Sequence, residues 1–157
     1  MFSSLIISLS KTSYFSFYLV CIAFVFFTAC STKSDTVKST STKYDQYYLQ
    51  GEKLFEKNCS NCHQKAGTGL GLLYPPLNKS DFMDNHLEEV ICLMKNGKKG
   101  ELIVNGKSFN KAMPAIPSLT NLEVAEIATY IFNTWEHKKG LIEVKTVDSV
   151  LAKCAEH

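Results

Sequence analysis

Residues 59–63 read CSNCH, and this run constrains the fold more than any other stretch of the chain. Two thiols three apart, with an imidazole on the next residue, ask for a shared ligand. A thiol–disulfide centre wants C-x-x-C at a helix start inside an alternating strand and helix pattern. No strand-rich pattern precedes the motif, and such a centre has no use for the adjacent His. A structural zinc site pairs one C-x-x-C with a second Cys/His pair, and none follows. Covalent haem c fits. Cys59 and Cys62 on one helical turn can reach the two vinyl groups of one porphyrin, and His63 then projects toward the iron as an axial ligand.

The flanking segments suit a chain wrapped around a flat ligand. Upstream, YDQYYLQGEKLFEKN reads as a helix, with Tyr47, Gly51, Leu54, Phe55 and Asn58 recurring at three- and four-residue spacing. Gly51 costs such a helix about 1 kcal/mol against Ala, which is tolerable where another backbone or ring must come close. Downstream, KAGTGLGLLYPPLNKS is a loop rich in Gly and Pro. A metal-bound His donates its other ring nitrogen to a fixed acceptor, and a carbonyl among Tyr74, Pro75 and Pro76 is the candidate for His63. DFMDNHLEEVICLMKNG reads as a second helix that Asn96-Gly97 stops. SLTNLEVAEIATYIFNTWEHKKG reads as a third, with a Thr120/Glu123 capping box and an apolar stripe through Val124, Ile127, Ala128, Tyr130, Ile131 and Trp135. The expected class is all-α: about three main helices and long loops around one covalent haem. Loops this long would otherwise count against the assignment, but a central haem fills the volume that regular structure would occupy.

GEKLFEKNCSNCH, then YPPLNKSDF, then KAMPAIPSLTNLEVAEIATYIFNTW resemble, in order and spacing, a class I mono-haem cytochrome c over residues 44–140. The resemblance implies that the first helix crosses the last, with Gly51 and Phe55 meeting Tyr130. It also implies that Met113, between two prolines in NKAMPAIPS, is the sixth iron ligand. Pro114 and Pro117 hold that segment extended, and a Met thioether raises the haem potential. Met83 and Met94 fall in the second helix, where Met is more often core filler. His86 is a rival ligand, while His137 and His157 sit in polar contexts that suggest solvation.

The two ends of the chain read differently from its middle. Residues 1–29 look like a signal peptide: one charge at Lys11, an apolar run from Tyr14 to Thr28, then Ala29-Cys30. The run is nearer 15 residues than the ~20 a spanning helix needs. FTAC resembles a lipoprotein junction with Cys30 as the lipidated residue, although Phe27 departs from the usual small aliphatic; an uncleaved anchor and plain secretion are the alternatives. Residues 30–43, almost wholly Ser, Thr and Lys, read as a flexible linker reaching roughly 20 Å. Of the six cysteines, Cys92 and Cys154 remain. In an oxidising compartment they suggest a disulfide that pins a loose extension, residues 141–157, and encloses about 63 residues, worth roughly 4 kcal/mol. Two buried thiols are the alternative.

Formal net charge is +2, or about +1 once Lys11 is gone, and there is no Arg. Phosphate or base recognition by Arg forks is excluded, so no nucleic-acid partner is expected. Lys95, Lys98, Lys99, Lys107 and Lys111 cluster just before Met113; they read either as a docking patch for an acidic redox partner or as a solvated loop. The expected function is one-electron shuttling, without catalysis, by a monomer lipid-anchored on the periplasmic side of a bacterial envelope. Its partners would be larger redox proteins, a donor and a terminal oxidase or reductase. A haem-based gas sensor and a fixed relay subunit are the rival readings.

Overall fold

The computed structural model describes residues 36–154, with side chains from residue 41. The signal segment, Cys30 and His157 lie outside the described residues. The chain divides into two units, Met1–Val37 and Lys38–His157, and the second holds CSNCH and Met113. The described residues are helix-rich: α1 (Thr36–Asn58), α2 (Ser60–His63), α3 (Asp81–Asn85), α4 (Leu87–Asn96), β1 (Leu102–Val104), β2 (Lys107–Phe109), α5 (Asn121–Ile131) and α6 (Val144–Cys154). None of these helices is long and apolar enough to cross a membrane.

The core includes a close contact between α1 and α5. Gly51 is buried where the helices cross. A Cβ there would lie 2.0 Å from the Glu126 carbonyl oxygen and 2.9 Å from Tyr130 Cβ. Only a residue without a side chain lets the backbones meet so closely. One turn on, Phe55 is 1% exposed and its ring stands 5.5 Å from that of Tyr130 and 5.5 Å from that of Trp135. This is the meeting of Gly51, Phe55 and Tyr130 that the family resemblance implied. Helix α5 starts with a complete capping box: Glu123 N–H donates to Thr120 Oγ1, and the Glu123 carboxylate accepts from the Thr120 N–H. Those bonds, the backbone one foremost, hold the Glu123 carboxyl below its ordinary range.

Five features depart from the sequence reading. First, α1 begins at Thr36 and takes in residues 36–43, which composition assigned to the linker. Lys43 is anchored there, paired with Glu143 and lying 5.4 Å from the Tyr47 ring centroid. Second, the middle helix is broken at His86 into α3 and α4. Third, a hairpin lies between α4 and α5, pairing Leu102 with Phe109 and Val104 with Lys107. Its turn is Asn105-Gly106, both at positive φ. Asn105 exchanges bonds with Asp81, which ties the hairpin tip to the start of α3.

Fourth, α5 stops at Ile131 rather than running past Trp135. The Asn133 side chain bonds the Thr129 and Gly140 carbonyls and accepts from the Gly140 N–H, so a side chain competes with the helical ladder. Fifth, the C-terminal extension is not loose. Residues 144–154 form a helix that buries Val147 and Val150 against the core. Cys92 of α4 and Cys154 of α6 are joined in a disulfide with a Cα–Cα distance of 5.9 Å.

Candidate functional site

Helix α1 runs almost directly into α2, with a break at Cys59. The Cys59 N–H donates to Phe55 O at 2.8 Å, and the Cys62 and His63 N–H groups both donate to Cys59 O, at 3.1 and 3.0 Å. Cys59, Cys62 and His63 therefore sit on one turn. All three line a single cavity of about 960 Å³, a volume that includes its part open to solvent. Phe55, Met83, Met94 and Ile131 supply apolar walls.

The His63 ring is oriented by its Nδ1, which donates to Pro75 O at 3.0 Å. That bond leaves Nε2 as the lone-pair nitrogen. Burial lowers the His63 pKa, and the Pro75 bond opposes this only in part. The neutral form, the one that can bind a metal, is favoured. Pro75 provides the acceptor by its carbonyl; Pro76 lines the same wall. The Cys59 thiol is pushed up to about 11, by burial first and by Cys62 second. A redox C-x-x-C needs a depressed thiol pKa, so the structure adds a second, independent ground against that chemistry. Tyr74 bonds Cys62, and that neighbour raises its phenol pKa.

Met113 lines the cavity on a segment tied to the end of α4. Its backbone exchanges two hydrogen bonds with Lys98, each 2.9 Å. Met83 and Met94, 1% and 4% exposed, are wall residues of the same space. His86 is exposed, stacks edge-on against Phe82 at 4.5 Å and is not among the lining residues. The residues present thus fit a covalently held haem: two thiols on one turn, one oriented neutral imidazole, a thioether and apolar walls.

The lysines divide into two groups. Lys98 and Lys111 line the cavity, and Lys99 and Lys107 are exposed nearby in sequence. Lys95 is different: its ammonium donates to the carbonyls of Pro117, at 3.1 Å, and Leu119. It fastens α4 to the loop before α5 instead of standing free for docking.

His137 is buried, not solvated as its polar neighbours suggest, because the turn after α5 folds it inward. Trp135 and Glu136 hold φ of 52° and 84°, a conformation that costs roughly 1–3 kcal/mol per residue and survives only where surroundings enforce it. His137 Nε2 donates to Leu77 O at 2.9 Å, and Nδ1 pairs with Asp84 Oδ1 at 2.8 Å. The side chain therefore clamps the loop that carries Pro75 onto α3. Replacing His137 with Ala removes both bonds and leaves the Leu77 carbonyl without its partner. Denaturant unfolding of the haem-loaded protein should show stability lower by about 2–3 kcal/mol. A loss below about 0.5 kcal/mol would mean that the clamp is not holding the loop.

Known proteins are similar to this chain across the site. The family model described as cytochrome c oxidase, cbb3-type, subunit III, matches residues 47–131, just over half of the chain. That stretch holds Cys59, Cys62, His63 and Met113. Cytochrome c-552 of Thermus thermophilus is 27% identical over 93 residues, covering 57% of this chain and 70% of that protein. A second cytochrome c-552 from the same species is likewise 27% identical over 93 residues, and this chain covers 62% of its length.

Proposed function

Since this chain belongs to the cytochrome c oxidase, cbb3-type, subunit III family, we propose that it is a mono-haem electron carrier that shuttles between respiratory redox partners. Haem c is the cofactor, and haem-based electron transfer is what such a domain does. The observation that carries the reading is the meeting of Cys59, Cys62, His63 and Met113 around one apolar cavity.

Bound haem c supplies a one-electron iron couple. Cys59 and Cys62 would hold it through two thioether bonds, and His63 and Met113 would supply ligands to its iron. Pro75 fixes the imidazole through Nδ1, so His63 offers Nε2 without a proton to lose. Met113 offers a neutral sulfur, which favours the reduced state. Phe55, Met83, Met94 and Ile131 keep water from the cavity interior, which has the same tendency. Lys98, Lys99, Lys107 and Lys111 would bring an acidic partner to the open side. Their effect would be local, since the whole chain is nearly neutral. The reading assigns the chain no catalytic role of its own.

The proposed location is the outer face of a bacterial membrane, with Cys30 as lipid anchor, and the proposed state is a monomer. The name of the matching family favours a second reading, in which the domain is a fixed relay within a terminal oxidase. Stable co-purification with a larger complex in mild detergent would select that reading, and recovery as a free lipoprotein the first.

The test of the site is an optical spectrum of the ferrous protein with and without carbon monoxide. The wild type should give a sharp low-spin spectrum that the gas leaves unchanged. Met113→Ala should bind the gas and lose reduction potential. A rapid shift in the wild type would remove Met113 as a ligand and put the gas-sensing role ahead.

A further inference from the structure

We propose that Gly97 is the positioning residue for the sixth ligand: it lets the end of α4 and the Met113 segment meet with no side chain between them. The inference rests on the reading of Met113 as an axial ligand and goes beyond it by naming what holds that ligand in place.

Gly97 follows α4 directly, and its N–H donates to Leu93 O at 2.9 Å. It turns the chain at φ 73°. The next residue, Lys98, makes the antiparallel bridge with Met113. A Cβ on Gly97 would lie 2.5 Å from Met113 O, 2.6 Å from Ala115 N and 3.0 Å from the Pro114 carbonyl carbon. All three contacts are backbone, so no side-chain rotation relieves them. Pro114 stiffens the segment, which would therefore shift as a piece and carry Met113 with it. A functional side chain tolerates only about 0.5 Å of such displacement.

The chain contains its own control. Gly140 also sits at positive φ, 75°, but it is not among the lining residues of the cavity and a Cβ there would meet nothing within 4 Å. Gly97→Ala and Gly140→Ala thus share the backbone strain of an L-residue in this region, and only Gly97→Ala adds the collision with Met113. A helix-stopping role alone would make the two variants alike in every readout except stability.

The experiment compares carbon monoxide binding to the ferrous, haem-loaded wild type, Gly97→Ala, Gly140→Ala and Met113→Ala. Gly97→Ala should bind the gas about tenfold faster or more than the wild type, as the open-iron population grows, and Gly140→Ala should match the wild type. Rapid binding by the wild type would defeat the Met113 reading and this inference with it. A closed wild type, an open Met113→Ala and a closed Gly97→Ala would defeat this inference alone. Amide exchange in the unaltered holoprotein is the second measurement, decisive if Gly97→Ala does not fold. Slow exchange at Lys98 and Met113 N–H is expected, and exchange at unprotected rates would overturn the proposal.

Discussion

Changing both Cys59 and Cys62 to Ser should abolish covalent haem and leave little folded protein. Expressed in cells that attach haem to exported chains, the double variant should show no haem stain on a denaturing gel. Each single variant should keep one bond and a reduced yield. The expectation follows from the geometry of one turn: both thiols line the same cavity, and neither is taken up in a disulfide. The cost is more than a lost cofactor. Phe55, Met83, Met94 and Ile131 are buried residues of the core that also form cavity walls. With nothing between them they lose packing contacts that the rest of the chain cannot replace. A double variant that still carried covalent haem would sink the assignment of these thiols.

How much of the molecule was legible in the sequence depends on how local each signal is. CSNCH placed the site because its spacing is a property of one turn and needs no tertiary context. The Gly51, Phe55 and Tyr130 crossing was reachable only through the resemblance, since nothing in a glycine says which helix it will meet. The hairpin has a local signal: Asn105-Gly106 between short apolar runs is a strong two-residue turn. Helix α6 was legible too, with Val144, Val147, Val150, Leu151 and Cys154 on a helical period, but its place at the chain end suggested a loose tail. Two features were out of reach. The stop of α5 depends on Asn133 finding Gly140, and the burial of His137 depends on Asp84, 53 residues away. Charge alone groups Lys95 with its neighbours, while its distant carbonyl partners decide its role.

Removing the disulfide, as Cys92→Ser or Cys154→Ser, should cost the folded protein about 4 kcal/mol. The bond closes a loop with a sequence separation of 62, and the cost arises mainly because the unfolded chain gains freedom that the bond had removed. Position adds a structural reason. Helix α4 bears Cys92 in its middle, Met94 on the cavity wall and Gly97 at its end, where the Met113 segment is tied. Helix α6 contributes Val147 and Val150 to the core beside it. Denaturant unfolding of the haem-loaded protein in oxidising and reducing buffer gives the size of the effect. The wild type should fall to the level of either Ser variant when its disulfide is reduced; the reductant also reduces the haem iron, and the shift that both variants show gives the baseline for that. If the wild type and the variants unfold together in oxidising buffer, Cys92 and Cys154 are not bonded in solution. Helix α6 would then be held by its valines alone.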